Sequence, residues 1–259
     1  MRTSILSRLA AAVVSLTAAT AAQAEGFATA NVQVLQGFNF KDVSGNGNNT
    51  RAGDMNTVTF NYYGTHAYGD LLFFADLTRT RGAFVNAFTG GPDGRTNVYS
   101  ELQPRFGFGK IFGKNPVPFF KDFGPAFELN QGYNFFAYLG GFGGDFNLPG
   151  PYVAGMNLYY RYDQFSYHSW QATLYWGVPF KVGPANMVLA GFADLSGAKN
   201  PNDGNLGLDI MTQPQLLVDV GAPFGVPSRF WFGTEYYIHR APGHALSSAP
   251  QLMVQYTLR

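Results

Sequence analysis

Only 13% of the 259 residues are charged, against about a quarter in an ordinary soluble domain, which argues against a water-soluble globule. The formal charge of +1 excludes the basic footprint that nucleic-acid binding requires. There are 25 Phe, 15 Tyr and 32 Gly but no Cys, so the fold forgoes disulfides, which suits an exported sheet closed by its own hydrogen bonds.

The chain opens with Arg2 and Arg8 ahead of the apolar run Leu9–Ala22, and then Ala22-Gln23-Ala24. These are the n-region, h-region and A-x-A site of a secretory signal peptide. Residues 1–24 are therefore expected to be a leader, and residues 25–259 the mature protein. No later stretch is long and apolar enough for a membrane helix, so insertion into a bilayer must be by strands.

Twelve segments with strand character follow, separated by Gly, Pro, Asn and Asp clusters. In chain order they are Ala30–Phe40, Met55–Thr65, Gly69–Thr78, Asn97–Gly109, Phe119–Asn130, Tyr133–Gly141, Tyr152–Asp163, Tyr167–Phe180, Ala185–Leu195, Thr212–Gly221, Arg229–Arg240 and Gln251–Leu258. Most are near the 9–11 residues that a tilted strand needs to cross hydrocarbon. From a periplasmic N-terminus, the long connections Lys41–Asp54, Arg79–Thr96, Ser196–Met211 and Ala241–Pro250 fall at outer positions. Lys181–Pro184 and Ala222–Pro227 fall at inner ones, while the outer turns near Gln131-Gly132 and Gln164–Ser166 are short. The pattern predicts an all-β fold, a transmembrane antiparallel up-and-down β-barrel of about 12 strands in the bacterial outer membrane. Pro104 and Pro214 fall inside strands, where each deletes a ladder donor, and bulges are expected to absorb them.

Alternation sorts the chemistry. In Gly155–Asp163, Met156, Leu158, Tyr160 and Tyr162 share one face, and Asn157, Tyr159, Arg161 and Asp163 the other. A basic group turned to lipid at the midplane costs about 2–4 kcal/mol, so the ionisable face belongs to the lumen. The same rule points Glu101 and Arg105 inward from the fourth strand, Asp70, Phe74 and Asp76 from the third, and Phe192 and Asp194 from the ninth. Glu235 and Arg229 are expected to join them. Rings can stack on a flat ligand while charges bond its polar edge. An internal lattice of salt bridges plugging the barrel would use the same residues.

Other signals carry less. Gly140-Gly141-Phe142-Gly143-Gly144 lacks the strand–helix context of a phosphate loop and is expected to be a turn. The four His show no metal-ligand spacing. Ser166 or Ser169 with His168 is a poor hydrolase dyad, because adjacent strand residues point to opposite faces. The expectation is a protein that is not an enzyme and needs neither cofactor nor metal.

Ser100–Lys110, Asp70–Asp76, Val153–Tyr162 and Val188–Leu195 together resemble the nucleoside-specific, Tsx-like outer-membrane channels. The pattern acidic-x-x-Pro-Arg-Phe, here Glu101 to Phe106, is shared with that family. The resemblance implies a monomeric twelve-stranded barrel with a narrow lumen, passing nucleosides by facilitated diffusion. It carries over Glu101 and Arg105, with Asp70 and Asp76 beside them. Phe74, Tyr159, Arg161, Phe192, Asp194 and Glu235 come from the alternation alone. The alternative function is a structural or adhesive barrel, plugged inside and working through its outer loops.

Overall fold

The computed structural model describes residues 26–41, 52–82, 96–133, 135–200 and 202–258. The expected leader, much of the first and third connections, and the Gly90–Gly94 cluster lie outside these residues. The described residues form β1 (Ala28–Lys41), β2 (Ala52–His66), β3 (Gly69–Gly82), β4 (Thr96–Phe106), β5 (Phe120–Gln131), β6 (Phe136–Phe146) and β7 (Val153–Asp163). They continue as β8 (Tyr167–Val182), β9 (Ala185–Lys199), β10 (Leu206–Thr212), β11 (Gln215–Asp219), β12 (Phe230–Arg240) and β13 (Ser247–Thr257). Successive strands pair antiparallel, and β13 pairs back onto β1. Both β10 and β11 lie between β9 and β12, as two halves of one wall position. The wall is therefore a closed twelve-position barrel, and closure leaves no unpaired edge for lipid to meet.

The period-two alternation places large apolar side chains outside. Val34, Val58, Leu77, Leu158, Leu174, Phe232 and Val254 are all exposed on the outer wall. Rings such as Phe230 and Tyr256, 4.9 Å apart at their centroids, stand near the end where β1 starts and β13 finishes. Trp170, Tyr160 and Tyr236 stand nearer the opposite end. This is a lipid-facing band flanked by aromatic residues.

Neither strand proline is absorbed by a bulge. Pairings of β4 to β5 lapse between Leu102↔Leu129 and Arg105↔Ala126, and resume in the same register. At the second site, Thr212↔Ala193 and Gln215↔Ala190 keep one register across the Gln213-Pro214 gap. There the Gln213 N–H donates to Phe192 O at 3.2 Å, and Pro214 O accepts from Tyr236 N at 2.9 Å. An extra residue would have moved every later side chain to the opposite face, so a skipped hydrogen bond is the smaller disturbance. Register shifts do occur at Gly37/Phe40 and at Phe120/Asp122, near strand ends.

Two other expectations are corrected. The glycine run 140–144 is not a turn but the middle of β6. A Cβ on Gly141 would lie 1.9 Å from Leu158 O, and one on Gly143 would lie 1.9 Å from Asn157 Oδ1, so β7 packs where side chains would stand. The fourth strand ends at Phe106 rather than Gly109 and gives way to a short helix, α1 (Phe108–Phe112). The Asp122 carboxylate accepts the backbone N–H of Gly109 at 2.8 Å and of Lys110 at 3.2 Å, which turns the chain away from the wall. Lys110 Nζ then donates to Gly69 O at 2.7 Å and His66 O at 3.1 Å on the adjoining β2–β3 turn.

The interior is not uniformly polar. Leu35, Leu217 and Met253 form a buried cluster with Trp231 against it, and Phe40, Met55, Tyr237 and Ala249 form another. These occupy part of the sector of β10–β13, β1 and β2, beside the inward Glu235 and the Asp209–His239 pair, while a third cluster of Ala126, Phe135, Ala137, Leu139 and Tyr159 lies along β5 to β7. Leu158→Arg, at mid-height on the lipid face, should cost about 2–4 kcal/mol of folding free energy. Urea titration of the barrel in phospholipid vesicles measures this, with inward Gln255→Arg costing less.

Candidate functional site in the lumen

Register decides which side chains meet inside. Thr59↔Asp76, Asn61↔Phe74 and Thr65↔Asp70 fix the inward set on β3. Asp76↔Tyr99, Phe74↔Glu101 and Asp70↔Arg105 carry it to β4. Gly141↔Tyr159 and Leu139↔Arg161 place Tyr159 and Arg161 inward on β7. Thr173↔Asp194 and Tyr175↔Phe192 do the same on β9, and Gln215↔Glu235 on β12. All ten residues singled out from the sequence thus face the interior. Arg229 does not join them, because its guanidinium donates to Leu258 O at 2.7 Å and ties the chain end to the rim.

At mid-height a run of rings climbs toward the end opposite the start of β1. Phe74 and Tyr99 have centroids 6.0 Å apart, Tyr99 and Phe135 6.2 Å, and Phe135 and Phe165 6.0 Å. Polar groups flank this run. The Tyr99 hydroxyl donates to Glu101 Oε1 at 2.5 Å, and Gln103 Nε2 donates to Glu101 Oε2 at 2.6 Å. The Arg161 guanidinium lies 5.9 Å from the Phe135 centroid, where cation and ring attract. Arg161 is held by Asp163 at 2.8 Å and by Gln171, while Asp163 Oδ1 also accepts the N–H groups of Phe165 and Ser166. One carboxylate therefore positions both the arginine and the turn above it.

Arg105 has a different setting, near the end where β1 starts and β13 finishes. Its Nη2 lies 2.7 Å from Asp70 Oδ2 and 2.6 Å from Asp145 Oδ1, and its Nη1 donates to the Tyr175 hydroxyl. The Tyr175 hydroxyl in turn donates to Asp145 at 2.7 Å. The network spans β3 to β8 because the wall between is nearly bare. A Cβ on Gly155 would stand 2.2 Å from the Tyr175 hydroxyl, so this ring lies flat across β7 only over a glycine. Beside the network opens a cavity of about 410 Å³ lined by Tyr63, Asp70, Arg105, Lys110, Lys121 and Asp145.

Several partners went unrecognised in the sequence. Asp145 lies beyond the sixth strand that the sequence pattern predicts, because the glycine run before it carries no side-chain alternation. Tyr175 and Glu128 were assigned to strands but not singled out. The strand alternation of Ala126, Glu128 and Asn130 was the available signal for Glu128.

A closed antiparallel barrel with a lipid-facing band and an ionisable interior is an outer-membrane protein of the bacterial type. No family model matches the chain, and no curated protein does. Among solved structures it is similar to the KdgM porin, at 10% identity over 88% of this chain and 99% of that one, with a TM-score of 0.47. It is also similar to a BenF-like porin from Pseudomonas fluorescens Pf-5, at 8% identity over 89% and 98%, TM-score 0.31. For OprB of Pseudomonas putida the values are 10% identity over 90% and 94%, TM-score 0.30.

Arg105→Ala leaves Asp70 and Asp145 uncompensated, and should lower folding stability by about 3 kcal/mol. The urea midpoint of the detergent-folded barrel reads the loss.

Proposed function

We propose that the barrel is a monomeric diffusion channel for nucleosides or similar small, flat, polar solutes. The observation that carries this is the run of rings Phe74–Tyr99–Phe135 on the lumen wall with carboxylate and guanidinium groups alongside. A base can stack on such rings, where offset contacts are worth about 0.5–1.5 kcal/mol each. Ribose hydroxyls supply donors for Glu101 and Asp76, and Arg161 faces acceptors on the ring edge. Conduction needs sites weak enough to leave, and a series of shallow stacking positions meets that need better than one tight pocket. Phe192 extends the same lining around the wall, and Tyr159 packs into the buried cluster of Ala126, Ala137 and Leu139 beside it. Arg105 and Asp70 act here by holding the shape of the lumen, since most of their bonding capacity is already engaged by each other, Asp145 and Tyr175.

One observation favours the rival reading of a plugged structural barrel. The Leu35–Leu217–Met253 cluster fills part of the interior with apolar side chains. Planar-bilayer recording separates the two, since a plugged barrel is silent. A channel shows discrete openings that added nucleoside blocks. Glu101→Gln keeps the shape but loses the charge beside Tyr99, and should weaken nucleoside block by about tenfold, the worth of one charge-assisted hydrogen bond. Unchanged block in this variant would place the binding position elsewhere.

A further inference from the structure

The charged groups of this lumen fall into two sets. Arg105 is matched by Asp70 and Asp145 near one mouth, Arg161 by Asp163 nearer the other, and His239 by Asp209 at 3.0 Å. Between them, from β3, β4, β5, β9 and β12, project Asp76, Glu101, Glu128, Asp194 and Glu235. None of these five is in an ion pair among the described residues. Each is held instead by a neutral donor. Thr59 bonds Asp76 at 2.5 Å, Asn130 bonds Glu128 at 2.9 Å, and Thr173 bonds Asp194 at 2.6 Å. Gln215 and Gln251 bond Glu235 at 2.7 and 2.5 Å. Such partners orient a carboxylate but bring no opposite charge.

The five sense one another across the bore. Glu101 and Asp194, on opposite walls, interact electrostatically, as do Glu235 and Asp76, and Glu128 interacts with both Glu101 and Asp194. The Arg161 guanidinium, already bound to Asp163, also acts on Glu128 and Asp194. A second observation is independent of the charge count. Asn130 is 5% exposed and Glu128 2%, yet Asn130 Oδ1 and Glu128 Oε2 have no hydrogen-bond partner. Both are acceptors, side by side, and a buried acceptor left bare costs about 1–3 kcal/mol. What the zone lacks is a donor or a positive charge. Among the described residues no three of these carboxylates converge closely enough to chelate a metal ion, so the demand is for a diffuse positive field.

We propose that the mid-lumen is a cation-selective constriction, admitting monovalent cations and neutral donor-bearing solutes while turning back anions, including phosphorylated forms of the solutes it passes. This deepens the channel reading and rests on it. Rings of Asp and Glu select cations in channels because a narrow, low-dielectric bore concentrates their field. Arg105 and Arg161 do not reverse the sign, because each is neutralised where it stands.

The test is the reversal potential of the purified full-length barrel in a planar bilayer across a KCl gradient. Wild-type protein should favour K⁺ over Cl⁻ by about tenfold or more. The doubly isosteric variant Glu128→Gln with Asp194→Asn should bring that ratio close to unity. If that variant fails to fold, Glu235→Gln alone should lower the ratio measurably. Step openings with no preference, or a preference for Cl⁻, overturn the filter and leave the channel standing. Unchanged selectivity in the folded double variant overturns the assignment to these residues. A silent bilayer removes the channel and the filter together.

Discussion

Everything in this molecule depends on a closed sheet that cannot change register. In hydrocarbon a backbone amide has no water to bond, so each must find a partner on a neighbouring strand. The side-chain period of two then assigns every residue to lipid or lumen, and a slip of one residue would exchange the faces wholesale. The wall treats its two internal prolines accordingly. At Pro104 and at Gln213-Pro214 the ladder omits pairings, yet the residues beyond stay opposite the partners that an uninterrupted strand would have given them. Shifts in register are confined to the ends of β1 and β5, where few residues remain to be misplaced.

Glycine shapes the inside of that wall. Along β6 and β7, Gly141, Gly143 and Gly155 face inward, and backbone or polar side-chain atoms occupy the places their Cβ atoms would take. A bare strip lets long side chains from β4 and β8 lie along the wall and meet above it. Hence Arg105 reaches Asp145 from two strands away, and Tyr175 reaches it from the other side. Elsewhere larger apolar residues point inward and fill volume instead, around Leu35, Leu217 and Met253 and again around Ala126, Leu139 and Tyr159.

Two kinds of carboxylate result. Asp70, Asp145 and Asp163 are committed to guanidiniums, and their work is to hold strands and turns in place. The mid-height carboxylates are oriented by hydroxyls and amides that bring no opposite charge. A buried ion pair is at best a modest source of stability. Rings such as Phe74 and Tyr99 stand beside the second kind.

Strand number, strand order and the lipid or lumen side of nearly every residue were legible in the sequence, because alternation is local and lipid punishes a misplaced charge. The inward placement of Glu101, Arg105, Arg161, Asp194 and Glu235 follows from counting by twos. Counting could not tell which charges neutralise one another, since partners such as Arg105 and Asp145 stand 40 residues apart and meet only across two strand spacings. Nor could it separate a glycine turn from a glycine strand: Gly140–Gly144 lacks the side chains that carry a pattern, and its strand character is settled by β7 packing against it. Closure by β13 against β1 brings opposite walls together, and with it come the buried apolar clusters and the facing carboxylates. These are distances across a bore, and no property of one strand contains them.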